Sequence, residues 1–200
     1  GEEFSYNGVV GRRTAARGFL PAPAYVGGET VQETGGGVCQ GSSTVYLAAL
    51  RSNLEIVERY PHGYITRYVP DGMDATVYYG AKDFRFRNNT PFPIQVVGSV
   101  SGRSLTVSIL GTKSDNITVE MTNQTVGTTG YKTVYKVDSS LPAGSTRVSV
   151  TPYAGYTVKV YRNLYENGKL KDTKLESTSV YRSRDKVVLV SPEDAAQYGL

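Results

Sequence analysis

The chain has one cysteine, one histidine and no tryptophan, and it has no apolar run near the roughly 18 residues that a membrane-spanning helix requires. One cysteine permits no internal disulfide, and with one histidine it cannot make up the Cys/His quartet of a structural zinc site. Metal chemistry is disfavoured and no cofactor is expected. Charge blocks are missing too: the net charge is +4, and the surplus is interspersed, mostly in residues 112–200. Without a basic stripe or a recognised binding motif, nucleic acid is not an expected partner. The chain opens on Gly1-Glu2-Glu3-Phe4 without methionine or signal peptide, and reads as a piece of a longer protein.

What is present begins with the surroundings of the lone cysteine, Gly35-Gly36-Gly37-Val38-Cys39-Gln40-Gly41-Ser42-Ser43-Thr44. From Gln40 to Arg51 there is no proline and one glycine. Val45, Leu47, Ala48, Ala49 and Leu50 supply an apolar side and leave Ser42, Ser43 and Arg51 for a wetter one, which predicts a helix ending near Ser52-Asn53. A thiol in the first helical turn sits in the field of unpaired N–H groups, which favours thiolate. Glycines before it allow close approach of a substrate, and the nearby N–H groups suit an oxyanion hole. A lone cysteine is often a small apolar filler, but a filler needs no triple glycine before it and no polar run after it.

Leu54 to Tyr60 alternates apolar and charged residues and reads as a strand, followed by Pro61-His62-Gly63. Twelve helical residues carry the chain about 18 Å away from Cys39, and seven strand residues can return it about 23 Å, so His62 can come back beside the thiol. The sole histidine is then the candidate general base, against the plainer reading of a surface histidine. Asp71 and Asp74 are the nearest downstream carboxylates to orient it; Asp71-Gly72 is an ordinary turn signal, which favours Asp74.

Further strands are predicted at Thr76–Tyr79 and Phe84–Arg87, and Ile94–Val100 with Leu105–Leu110 form a predicted hairpin. Gly111–Gly130 reads as a linker or irregular lead-in. Strands follow at 132–138, 147–150, 156–165, from 169 and at 186–190, with Asn167-Gly168 as a tight turn. This half gathers no nucleophile, base and acid, and reads as a spacer or binding module. The expected fold class is α+β: a cysteine-bearing helix packed on a mainly antiparallel sheet over 1–111, then a lead-in over 112–130, a small all-β domain over 131–192 and a tail over 193–200.

Six ordered blocks carry a resemblance: Gly1–Asn7, Gly11-Arg12-Arg13-Thr14, Gly35–Gln40, Glu58-Arg59-Tyr60-Pro61-His62, Tyr68–Ala75 and Phe86–Thr90. Over about residues 1–97 the chain resembles the VanW domain family, named for its occurrence in vancomycin-resistance gene clusters. Residues 120–192 resemble, more weakly, the extracellular five-glycine domain, through Gly144, Gly155 and Gly168. The resemblance implies a bacterial envelope protein anchored by a membrane segment upstream. Some VanW proteins are understood to be L,D-transpeptidases, which cross-link peptidoglycan stem peptides through a cysteine. On that motif the nucleophile, histidine and aspartate fall on Cys39, His62 and Asp74.

Acyl transfer from a tetrapeptide stem with release of D-alanine is therefore the expected function. Its alternatives are hydrolysis of the same stems (carboxypeptidase or endopeptidase) and non-catalytic wall binding with a packed cysteine. Gly36, Gly37, Gln40 and Arg13 are candidate substrate contacts, and Arg85 and Arg87 can fork onto a substrate carboxylate or simply cover a sheet face. The basic second half suits an anionic wall polymer, although mixed charges on strands are more often a solvated surface.

Overall fold

The computed structural model describes residues 1–26 and 29–200, and its first compact unit comprises Gly1–His62, Thr66–Gln124 and Val158–Ser179. The first unit opens with β1 (Glu3–Ser5), α1 (Tyr6–Val10), β2 (Pro21–Val26) and β3 (Glu29–Thr34), continues through α2 (Val38–Arg51), β4 (Glu55–Glu58) and β5 (Arg85–Arg87), and reaches β6 (Ile94–Ser101) and β7 (Ser104–Gly111). Then come β8 (Ile117–Thr129), β9 (Thr133–Val137), β10 (Thr146–Val150), β11 (Gly155–Glu166), β12 (Lys169–Tyr181) and β13 (Lys186–Val190). Two α-helices among thirteen strands make the described chain mostly β rather than evenly α+β.

β1, β5 and β4 form an antiparallel sheet in that order, while β2 pairs with β3 and β6 with β7 as antiparallel hairpins. Against these pack Tyr6, Val45, Tyr46, Ala49, Leu50, Leu54, Ala75, Val77, Phe84 and Phe86, the core of the unit. Phe4 stacks on Phe86 with ring centres 4.8 Å apart, and Tyr46 meets Phe84 edge-on at 5.4 Å.

α2 is the helix predicted from the cysteine run. Gly37 caps its start at φ 86°, a conformation that disfavours a side chain, and Asn53 follows its end at φ 56°. Val45, Tyr46, Ala49 and Leu50 recur at helical spacing and face the core. Ser42 and Ser43, expected on the wetter side, are instead fully buried. Their hydroxyls explain it. Ser42 Oγ donates to the Ala75 carbonyl at 2.6 Å, and the Ala75 amide donates to Ser43 Oγ at 2.9 Å, so the serines replace water as partners of a buried backbone.

The same contacts show why the strand expected at Thr76–Tyr79 is absent, apart from a bridge between Tyr78 and Lys82. This backbone bonds to α2 and to Tyr60, whose carbonyl accepts from Thr76 at 2.7 Å, rather than to a neighbouring strand. Residues 112–130, expected as a linker, hold the thirteen-residue strand β8. Ile117, Val119 and Met121 alternate with polar residues there, and the polar composition of the remainder hides that period.

β12, β11 and β8 form one sheet in that order, and residues 117–124 and 158–179 of these strands belong to the first unit. Val158 and Val160 are buried, and Gly72 lies against both, so close that a Cβ there would collide with Val160. The second unit comprises Gly63–Ile65, Thr125–Thr157 and Val180–Leu200. Its sheet runs β10-β13-β9, with β13 antiparallel to β10 and parallel to β9. The closing segment forms a short 3₁₀ turn, Ala195–Tyr198, and Tyr198 packs on Tyr135 at 4.5 Å.

Candidate active site

Cys39 is the second residue of α2, half-buried, with its thiol 3.6 Å from the Val77 carbonyl. Gly36 runs tightly past the Ala22 carbonyl, where any Cβ would collide, whereas a Cβ on Gly37 would meet nothing within 4 Å. The backbone is packed on one side of the glycine turn and open at the other. The amides of Val38 and Gln40 donate to the Gly35 and Gly37 carbonyls at 3.2 and 2.9 Å. Among the described residues the Cys39 amide has no such partner, which leaves it as a donor beside its own thiol.

β4 ends in a bulge at Val57, and the chain beyond it turns back toward α2. There the His62 imidazole lies within electrostatic and hydrogen-bonding range of the Cys39 thiol, whose own 3.6 Å contact is to the Val77 carbonyl. Its Nδ1 lies 2.6 Å from Asp74 Oδ2, and its backbone amide donates to the same oxygen at 2.6 Å. Asp74 is fully buried and its other oxygen accepts from Arg59 Nη2 at 3.1 Å. The structure thus brings Cys39, His62 and Asp74 together, with the imidazole bonded to the carboxylate and in range of the thiol. Asp71 sits in the preceding turn, where its carbonyl accepts from Asn123 at 2.8 Å.

The remaining candidates separate into two groups. Arg13 contributes to the electrostatics of the thiol; its stem packs on Gly35, its Nη1 donates to Asn7 Oδ1 at 2.7 Å, and its guanidinium lies 5.8 and 6.0 Å from the ring centres of Tyr6 and Tyr79. Gln40 is half-buried on the first turn of α2. Arg85 and Arg87 pair instead with carboxylates flanking β5. Arg85 reaches Glu3 at 2.9 Å, and Arg87 reaches Glu3 at 2.6 Å and Glu55 at 2.9 Å, which answers their charge locally.

Two residues went unpredicted. Arg59 holds Asp74 from behind, and Tyr68 places its hydroxyl 3.1 Å from His62 Nε2. Both lie in blocks that carry the family resemblance, Arg59 three positions before the histidine and Tyr68 at the head of Tyr68–Ala75, but nothing else set Tyr68 apart among sixteen tyrosines.

Burial pushes the Cys39 thiol up, but hydrogen bonds from His62 and toward Val77, with the positive charge of His62 and Arg13, outweigh it and bring it below the ordinary thiol range. Burial likewise pushes His62 down, and the hydrogen bonds to Asp74 and Cys39 with their negative charge overcome it, raising the imidazole to about 9. Burial and the nearby Cys39 charge raise Tyr68, so its hydroxyl stays protonated.

The signs define a window. Thiolate is present above the lowered Cys39 value and is lost as pH falls through it; imidazolium is present below about 9 and is lost as pH rises through it. Between those limits the pair rests as thiolate and imidazolium. Iodoacetamide is therefore expected to alkylate Cys39 with a midpoint below the roughly 8.5 of a free thiol. A midpoint at or above the free value would contradict the pairing.

Among the described residues, no helix is long and apolar enough to cross a membrane. Residues 1–110 match the family described as VanW like protein, and residues 117–192 match the G5 domain. The chain is 45% identical over 108 residues to the uncharacterized protein YoaR of Bacillus subtilis (strain 168), covering 54% of this chain and 36% of that one. It is 23% identical over 133 residues to the vancomycin B-type resistance protein VanW of Enterococcus faecalis (strain ATCC 700802 / V583), covering 63% of this chain and 48% of that one. It therefore spans between about a third and a half of those relatives' lengths.

Two solved structures align with the C-terminal part: the crystal structure of HP0197-G5 (24% identity, 38% of this chain and 97% of that one, TM-score 0.22) and an IgA1 protease G5 domain (16% identity, 39% and 94%, TM-score 0.27). With the family match spanning more than half of its length, the chain belongs to the VanW family and carries a G5 domain after its VanW domain.

Proposed function

We propose that this chain is a cysteine-dependent peptidoglycan L,D-transpeptidase acting at the outer face of the bacterial cell envelope. The observation that carries the reading is the His62 imidazole, bonded through Nδ1 to the buried Asp74 carboxylate at 2.6 Å and within range of the Cys39 thiol. Membership of the VanW family and the G5 domain support a cell-wall-associated protein.

The Cys39 thiolate attacks the carbonyl carbon of the third residue of a tetrapeptide stem, forming a C–S bond. The oxyanion is held by the free Cys39 amide at the open end of the glycine turn. His62, with Nδ1 committed to Asp74, gives its Nε2 proton to the departing nitrogen; the C–N bond breaks and D-alanine leaves as a neutral amine. The amine of the third residue of a second stem then attacks the thioester. His62 takes the amine proton, the C–S bond breaks and the thiolate returns. One amide replaces another, so no external energy source or cofactor is needed.

The test is mass spectrometry of products after incubating the chain with disaccharide-tetrapeptide stems. A 3–3 cross-linked dimer with one D-alanine released per bond is the expected result. Tripeptide alone would move the assignment to hydrolysis, and unchanged substrate would leave wall binding.

A further inference from the structure

We propose that Ser179, on a strand of the G5-matched stretch, is a positioning residue for the reactive cysteine, acting through Arg59 and Asp74. Arg59 grips the segment that carries Asp74 at three points: Nε donates to the Asp74 carbonyl at 2.6 Å, Nη2 to the Gly72 carbonyl at 2.9 Å and to Asp74 Oδ1 at 3.1 Å. Its remaining corner, Nη1, donates to Ser179 Oγ at 2.9 Å. Ser179 is fully buried on β12, and the Arg59 side chain is 7% exposed, so no water replaces this bond. The Tyr46 ring, 5.4 Å from the guanidinium carbon, helps fix its plane.

Two more contacts back the same segment. Asn123 on β8 donates to the Asp71 carbonyl at 2.8 Å, and Gly72 lies on Val158 and Val160 of β11. Asn123, Val158, Val160 and Ser179 all fall within 117–192, the stretch that matches the G5 domain, and within the first compact unit. The floor beneath Asp74 is thus built from strands outside the VanW match. A buried guanidinium that loses one acceptor shifts to find another, and Asp74 is the group it would pull on.

The inference rests on reading Cys39, His62 and Asp74 as one unit, not on transpeptidation, and its test needs no peptidoglycan. The chain has one histidine and one cysteine, so an NMR titration of the imidazole C2–H and the pH profile of iodoacetamide alkylation each report a single site in the full chain. Wild type is expected to give an imidazole midpoint of about 9. Ser179→Ala should lower that midpoint toward the ordinary histidine value and slow alkylation at pH 7 about three- to tenfold, whereas Ser179→Thr, which keeps the hydroxyl, should restore both.

If folded Ser179→Ala leaves midpoint and alkylation unchanged, even with a lower Tm, Ser179 only packs and the proposal is overturned. Should Ser179→Ala not fold, Arg59→Lys, which keeps the charge and loses the fork, is read by the same criteria. A wild-type imidazole titrating near 6.5 over a thiol no faster than free cysteine overturns the pairing, and the role of Ser179 with it.

Discussion

Cys39→Ala is expected to bring D-alanine release and 3–3 cross-linking to background while the protein stays folded. No second thiol exists in the chain to take over. The serines that follow it on α2, Ser42 and Ser43, are fully buried and bonded to the backbone of Ala75, so neither can swing toward a substrate. Loss of the nucleophile in acyl-transfer enzymes costs on the order of 10⁶-fold, since what remains is only binding and the oxyanion donors. Stability should change little: the thiol is half-buried and its one backbone contact, to Val77, is a long 3.6 Å. The measurements are mass spectrometry of stems after incubation and Tm by circular dichroism. Cross-linking by folded Cys39→Ala at the wild-type rate would sink the enzyme reading.

The parts of this molecule that were legible in the sequence are those set by local chemistry. Gly37 at one end and Asn53 at the other delimit α2, and the Asn167-Gly168 turn lies between β11 and β12 with both residues at positive φ. The β6–β7 hairpin pairs along its whole length, from Ile94 opposite Gly111 to Ser101 opposite Ser104. That His62 lies near Cys39 was reachable from the lengths of a helix that leaves and a strand that returns. The rest depends on partners distant in the chain. Nothing near Ser42 and Ser43 says that the Ala75 backbone will bury them, and Arg59 reads as a surface charge until the bulge at Val57 and the carboxylate of Asp74 draw it inward. Composition also misassigned β8, because its few apolar positions, Ile117, Val119, Met121 and Val126, are separated by threonine, glutamate, asparagine and glutamine that resemble loop. The largest gap concerns the second half, which holds no cysteine or histidine and read as a spacer or binding module. Chemistry-bearing residues can be searched for by type, but a buried serine bonded to Arg59 across 120 positions leaves no mark in either neighbourhood.

Variants of His62 and Asp74 are expected to lose activity as a unit. His62→Ala removes both the group that holds the thiol as thiolate and the proton donor to the leaving amine, so a loss of about 10²- to 10⁴-fold is expected. Asp74→Asn should cost less, for a geometric reason. The asparagine carbonyl can keep the bond from Arg59 Nη2, leaving its amide N–H groups facing His62 Nδ1 and the His62 backbone amide, both of which now donate to a carboxylate oxygen. Donor against donor forces the ring proton onto Nε2, the wrong tautomer for accepting the amine proton, while leaving the imidazole in place. Once His62 is absent, Asp74 has no imidazole to orient, and the double variant should be little slower than His62→Ala alone. D-alanine release from a tetrapeptide stem, with Tm measured for each variant, decides it. If the two losses multiply instead, Asp74 acts independently of His62, and its bonds to Arg59 and to the backbone become its main role.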